Sequence, residues 1–228
     1  MPNIRQQEAA ALRAASSRLS KKQEQLVYGT LIGDSTIRRY PGSGNCYVKS
    51  GHGEKQKDYL SYKKSILSNF VLQNEITCLS QAKSTYGGEN YYQFVTITHP
   101  LFNEIEKVFY RTLAGTRQKI IRYNILERLS AFGLLVWYLD DGTYVSPAKK
   151  HGTRIHFNTQ NFDLASQKTI KQWFWKTYQI DAKIYEDKRC HKFYICIGAD
   201  GTRKLMKLFQ KFRKEIPVCM HYKIPASY

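Results

Sequence analysis

Apolar residues recur along this chain in two periods, one of about 3.6 residues and one of about 2, and the two alternate in a fixed order. Over residues 24–34, Leu26, Val27, Leu31 and Ile32 fall on the spacing of a helix face. The period then shortens. Residues 36–40 and 46–50 flank Pro41-Gly42-Ser43-Gly44-Asn45, turn chemistry that predicts a hairpin. Helical spacing returns over 54–71, with Tyr59, Leu60, Ile66, Leu67, Phe70 and Val71 on one face. Residues 77–84 and 91–98 flank Tyr86-Gly87-Gly88-Glu89-Asn90 and predict a second hairpin, after which Pro100 suits the first turn of a helix.

The order then repeats. Residues 130–141 read as a helix, and 143–145 and 154–159 as strands around a loop that holds Pro147, Lys149, Lys150 and Gly152. Asp163 caps a helix to about residue 178, with Leu164, Ile170, Trp173 and Phe174 inward. Residues 182–186 and 192–197 form a hairpin through 187–191, and Asp200 caps a last helix with Leu205, Leu208, Phe209 and Phe212. Each half is helix, hairpin, helix, hairpin, helix. The pattern predicts an α+β fold of two pseudo-symmetric αββαββα halves, at 24–127 and 128–228, behind an arm or frayed helix at 1–23.

The helices that open the halves both end in an acid beside a small residue. One reads Gly29-Thr30-Leu31-Ile32-Gly33-Asp34-Ser35, the other Val136-Trp137-Tyr138-Leu139-Asp140-Asp141-Gly142. Their apolar faces predict burial against each other, and Gly29 and Gly33 remove side chains where the two backbones approach. A carboxylate at a helix C-terminus opposes the macrodipole. Two such ends side by side crowd negative charge, which a divalent cation relieves, and carboxylates and carbonyls are hard oxygen ligands suited to Mg²⁺. The plainer alternative is a pair of helix-terminal turns, since Asp-Gly and Asp-Ser are ordinary turn pairs.

Charge narrows the partner. The 228 residues carry 36 Lys and Arg against 18 Asp and Glu, a net +18. Eighteen basic residues against eight acids lie in 128–228, thirteen against nine in 24–127, and five against one in 1–23. Such a field attracts polyanions, nucleic acid first, with a ribosomal or membrane surface as the alternatives. Seventeen tyrosines interleaved with the basic residues suit contact with sugars, bases and phosphates. The most apolar stretch, at 131–139, is too short to span a bilayer. No apolar segment follows the start, although 1–23 resembles an organellar transit peptide in composition. The five cysteines, Cys46, Cys78, Cys190, Cys196 and Cys219, form no CxxC pair, so a reducing, intracellular setting is expected, as cytoplasm or organelle matrix.

With these segments together the sequence resembles the LAGLIDADG homing endonuclease family in its monomeric, two-motif form. The motifs at 29–34 and 136–142 carry the likeness, with Phe157-Asn158-Thr159-Gln160-Asn161-Phe162, Ile216-Pro217 and His221-Tyr222-Lys223-Ile224-Pro225. The resemblance implies saddle-shaped antiparallel sheets lying on double-stranded DNA and a two-helix interface. It implies that Asp34 and Asp141 bind divalent ions, Mg²⁺ or another such as Mn²⁺, with carbonyl help from Gly33 and Asp140. It implies a basic residue near each centre, Lys119 and Lys223, although the proline that usually follows is absent after Lys119. Gln160 positions solvent or simply ends a strand. Val136 and Asp140 stand where Gly29 and Gly33 stand, so close packing is expected to rest on one helix.

A two-stranded ribbon fits the major groove. The expected DNA contacts are Thr36, Arg38, Tyr40, Tyr47 and Lys49 in the first hairpin, and Lys83, Tyr86, Asn90 and Tyr92 in the second. The third gives Tyr144, Lys149, Lys150, Arg154 and His156, and the fourth Lys183, Tyr185, Lys188, Arg189 and Lys192. Arg38, Arg154 and Arg189 read guanine or contact phosphate. The expected activity is a site-specific double-strand break by metal-dependent hydrolysis. An intron maturase acting on RNA, or a DNA-binding protein of the same fold without cleavage, is the alternative. No splicing cysteine or His-Asn end flanks the chain, so an intron or free-standing gene is expected rather than an intein.

Overall fold

The computed structural model describes residues 3–72, 76–79, 90–145 and 152–226. The first half runs α2 (Lys21–Ile32), β1 (Thr36–Arg39), β2 (Cys46–Gly53), α3 (Lys57–Ile66), β3 (Thr77–Leu79), β4 (Tyr91–Val95) and α4 (Pro100–Phe109), preceded by α1 (Ile4–Ala15). The second runs α6 (Ala131–Asp141), β7 (Gly142–Val145), β8 (Arg154–Phe157), α7 (Leu164–Tyr178), β9 (Ala182–Asp187), β10 (Lys192–Ile197) and α8 (Ala199–Gln210). Between them lie a hairpin of β5 (Tyr110–Leu113) and β6 (Thr116–Lys119) and a short helix, α5 (Tyr123–Glu127). The two antiparallel sheets have matching orders, β1-β2-β4-β3 and β7-β8-β10-β9. The repeated αββαββα reading holds.

Local chemistry explains the boundaries. Ser20 and Gln23 cap α2 reciprocally, Ser130 caps α6 and Asp163 caps α7 through their side chains, each satisfying an otherwise orphaned N–H. Pro100 opens α4 as expected. Asp200 does not cap α8: Gly198 stands at the cap and Asp200 lies in the first turn, where an acid favours the positive helix end. Residues 54–71 are a 3₁₀ turn, α3 and a second 3₁₀ turn (Ser68–Phe70) rather than one helix. The expected arm is a capped helix. Asn3 and Gln6 form its capping box, Ala9 and Leu12 pack on the core, and Ser16 Oγ donates to Asn69 O at 3.2 Å.

Helices α2 and α6 form the centre of one continuous core. A Cβ on Gly29 would collide with the Gly133 carbonyl oxygen and stand 2.9 Å from the Val136 Cβ, and one on Gly33 would stand 2.5 Å from the Asp140 Cβ. The approach does not rest on α2 alone, because a Cβ on Gly133 of α6 would stand 2.5 Å from Gln25 Oε1 and 2.9 Å from Leu129 Cδ2.

Candidate active site

The packing of α2 on α6 brings their C-terminal ends together. At the end of α2, the Gly33 N–H donates to Gly29 O at 3.1 Å, and Ser35 N–H to Thr30 O at 2.8 Å. The Asp34 side chain emerges between them, 38% exposed. At the end of α6, Asp141 is half-buried while Asp140 points into the interior. Burial and then the charge of Asp140 push the Asp34 carboxyl up to about 6. Burial and then the charges of Asp34 and Asp140 push Asp141 up to about 8. Each acid is thus held against the negative charge of the others.

A lysine stands beside each acid. Lys119, at the end of β6, donates from Nζ to Ser35 O at 2.9 Å and Gly33 O at 3.3 Å. Lys223, in the closing 3₁₀ turn (Val218–Lys223), donates from Nζ to Leu139 O at 2.6 Å and Asp140 O at 3.4 Å. Each ammonium therefore sits on the carbonyl immediately before an acid, and a hairpin and a turn deliver the same group to the two corners. Tyr110 accepts from Ile37 N–H at 3.2 Å and Arg117 donates to Ile37 O at 3.0 Å, which pins the Lys119 hairpin to β1. Tyr138 pins the turn by donating to Lys223 O at 2.8 Å. Burial lowers Lys119 to about 8 and lowers Lys223 as well, against the pull of the acids.

Beneath Asp34 lies a buried polar cluster that sequence reasoning missed. Asp140 Oδ1 accepts from Lys63 Nζ at 2.6 Å and Tyr59 Oη at 2.9 Å, and Oδ2 accepts from Thr30 Oγ1 at 2.7 Å. Lys63 is 1% exposed. A lone lysine in an amphipathic helix reads as solvated, so its only signal was its place on the apolar face of α3. His52 completes the cluster, with Nε2 2.9 Å from Lys63 Nζ and Nδ1 3.6 Å from Asp34 Oδ2.

Asp34, His52 and Asp140 each offer a ligand atom within 4.8 Å of the others, the spacing of a metal group. The hydrogen bonds decide otherwise: both Asp140 oxygens are committed to Lys63, Tyr59 and Thr30, and His52 Nε2 to Lys63. The donors left facing outward are the Asp34 and Asp141 carboxylates and the second lone pairs of the Gly33 and Asp140 carbonyls. This all-oxygen set of excess negative charge fits Mg²⁺ or Mn²⁺.

Register sorts the expected surface residues. Thr36 opposes Lys49, and Arg38 opposes Tyr47, on the face away from the core. Tyr40, exposed, stacks on Tyr47 with ring centroids 4.2 Å apart, and Tyr47 is buried at 8% exposure rather than open as expected. On the second sheet His156, Cys196 and Lys183 oppose one another in a row. Tyr185 faces Tyr194, Lys192 faces Asp187, and Arg154 faces Val145, all on the outer face opposite Ile155, Phe157, Ile195 and Ile197. Two further expectations fail: Tyr92 and Tyr144 alternate to the other side and pack against the core. Arg189 is exposed and committed to Asp187 at 2.8 Å, and Lys188 shares its turn. Gln160 hydrogen-bonds Asp187 on this face, apart from the acids' own lysine contacts. Lys83, Tyr86, Lys149 and Lys150 lie outside the described residues. Among the described residues no helix is long and apolar enough to cross a membrane.

The profile of the LAGLIDADG DNA endonuclease family matches residues 24–205. A Protein RecA of Mycolicibacterium chitae is 26% identical over 215 residues, 91% of this chain and 47% of that protein. The cytochrome b mRNA maturase bI2 of Debaryomyces hansenii is 24% identical over 208 residues, 90% of this chain and 74% of that protein. The chain thus spans about half the length of the RecA relatives it matches. Among solved structures, the homing endonuclease I-WcaI bound to its DNA recognition sequence has the same fold. It superposes with a TM-score of 0.81 at 18% identity, over 100% of this chain and 96% of that one.

Proposed function

This chain belongs to the LAGLIDADG DNA endonuclease family, and from that footing we propose that it is a site-specific homing endonuclease that breaks both strands of a long duplex target by metal-dependent hydrolysis. One observation carries the reading: two acids at paired helix ends, each with a lysine on the carbonyl before it. A structural pair of turns has no use for two carboxyls that burial and mutual charge hold above their ordinary range.

The carboxylates of Asp34 and Asp141 hold the cation, with the Gly33 and Asp140 carbonyls beside them. A bound divalent ion supplies an activated water and stabilisation of the leaving oxygen. The chain's own groups do the rest. Lys119 and Lys223 place positive charge against the phosphate, and Lys119, lowered to about 8, exchanges a proton close to neutral pH. The outer sheet faces carry Arg38, Tyr40 and Lys49 on one half, with Tyr47 buried under Tyr40, and Arg154, His156, Lys183, Lys188, Arg189 and Lys192 on the other. These contact phosphates and read base edges in the major groove. Gln160, through Asp187, orders the edge of the second face. A single chain with its internal twofold faces both strands, so a monomer suffices.

A plasmid carrying the uninterrupted copy of the sequence that flanks the coding region tests this. Cleavage to linear product in Mg²⁺ or Mn²⁺, lost in EDTA, is the expected result. An intact plasmid in all three overturns it. The maturase relative supports a second reading, in which the same basic faces serve intron RNA. Tight intron RNA binding without cleavage would favour it.

A further inference from the structure

Among the described residues, the corner at Asp34 carries a device that the corner at Asp141 lacks. His52, on β2, is 4% exposed. Counting donors fixes where its ring proton sits. An ammonium has three N–H donors and no lone pair. Lys63 directs them to Asp140 Oδ1 at 2.6 Å, Thr30 Oγ1 at 3.0 Å and His52 Nε2 at 2.9 Å. Nε2 therefore accepts, and the proton of the neutral ring stands on Nδ1, which faces Asp34 Oδ2 at 3.6 Å. That separation is longer than a hydrogen bond, so the hold on the carboxylate is electrostatic. Gln56 shares that single proton: its amide donates to Tyr222 Oη at 3.1 Å, leaving its carbonyl to accept from the same Nδ1–H. Asp34, His52 and Gln56 line one cleft of about 290 Å³.

Among the described residues the second half has no such ring at the matching position. Thr36 pairs with Lys49, and Thr143 with His156, so the position three residues on is His52 in one half and Thr159 in the other. Thr159 Oγ1 donates to Gln167 Oε1 at 2.8 Å, and Gln167 Nε2 returns to Thr159 O at 2.6 Å, a neutral and self-satisfied pair.

We propose that His52, set in its Nδ1–H form by Lys63, is a positioning residue for Asp34. It draws Oδ2 toward the ring so that Oδ1 faces the cation. Among the described residues Asp141 has no counterpart, so the two strands of a bound duplex meet unequal corners. This inference rests on the nuclease reading and deepens it.

Two measurements test it. In a long-range ¹H–¹⁵N spectrum of the metal-free protein labelled at histidine, with His52→Ala to assign the resonance, His52 shows a protonated Nδ1 and a bare Nε2. A protonated Nε2 overturns the proposal. In strand-resolved single-turnover cleavage of the junction plasmid in Mg²⁺, His52→Ala slows one strand at least about tenfold, the cost of losing a group behind a metal ligand, and open circles accumulate. His52→Asn, whose amide nitrogen reaches the Nδ1 position, restores that strand, whereas His52→Gln does not. Both strands slowing in step, or recovery by Gln as well as by Asn, overturns it. The two readings fail separately. A wild-type chain that leaves the plasmid intact in Mg²⁺ and Mn²⁺ refutes the nuclease reading and this role with it. A wild type that cuts, but carries a protonated Nε2, refutes the positioning role alone.

Discussion

At the end of α2, Asp34 follows a glycine; at the end of α6, Asp141 follows a second acid, Asp140. Outward of this difference the corners agree, with a carboxylate, a carbonyl before it and an ammonium on that carbonyl. Inward they diverge, with Lys63 and His52 under one and the neutral pair Gln167 and Thr159 under the other. The contact itself imposes the asymmetry. A Cβ on Gly33 would stand 2.5 Å from the Asp140 Cβ, so only one of the two positions can carry a side chain. Once that side chain is an acid with no exposure, it needs a buried cation, and Lys63 crosses from the other half to provide it. The twofold survives where backbone and lysine carry the chemistry, and it lapses where two helices compete for one space.

The sharpest way to break this comparison is to remove the buried cation. Lys63→Met leaves Asp140 unpaired in the interior and is expected to cost about 3–5 kcal/mol in urea unfolding. The matching change in the other half, Gln167→Leu, removes neutral hydrogen bonds and is expected to cost about 1–3 kcal/mol. Equal losses would mean that the two undersides are not different in kind. At the helix contact, Gly29→Ala forces a Cβ into the Gly133 carbonyl and is expected to cost about 1–3 kcal/mol by the same assay.

Acidity offers a subtler contrast. Both outer acids hold their protons more tightly in the fold than in the unfolded chain. The metal-free fold therefore binds more protons than the unfolded chain from about 3.8 up to the raised value, and its stability falls as pH rises through that window. The window closes at about 6 for Asp34 and about 8 for Asp141. Thermal melts of metal-free protein are expected to decline from pH 5 to pH 8, with Asp141→Asn removing the decline above pH 6 and Asp34→Asn, which takes away one of the charges that raise Asp141, shortening it without removing it. Mg²⁺ flattens the wild-type curve. The smallest effect belongs to the outer faces. Lys183→Ala is expected to reduce the slope of log affinity against log salt by about 0.9, the share of one phosphate, in DNA titrations.

The twofold plan and both outer acids were legible because they live in local patterns: two periods in a repeated order, and an acid after an apolar helix. Lys63 and His52 were not, because their meaning depends on Asp140 arriving from another helix, a contact no local period encodes. The β5–β6 hairpin escaped for a different reason. Its turn places Ala114 at φ 48° and Gly115 at φ 76°, and alanine in that left-handed position carries none of the signal that Asn or Asp would. Lys119 was legible only through family likeness, since the hairpin that delivers it was not foreseen. The outer-face register held for Arg38, Lys49, Arg154, His156 and Lys183 because alternation in a half-buried strand is strict, and the same strictness turned Tyr92 and Tyr144 inward.

Single-turnover cleavage of the junction plasmid by the wild type, Asp34→Asn and Asp141→Asn, each in Mg²⁺ and in EDTA, bears most directly on the paired acids. The expected result is linear product from the wild type in Mg²⁺ alone. Each variant should be slowed by more than about 100-fold, beyond the cost of losing a group behind a metal ligand. Scission that persists in either variant at near the wild-type rate would contradict the account.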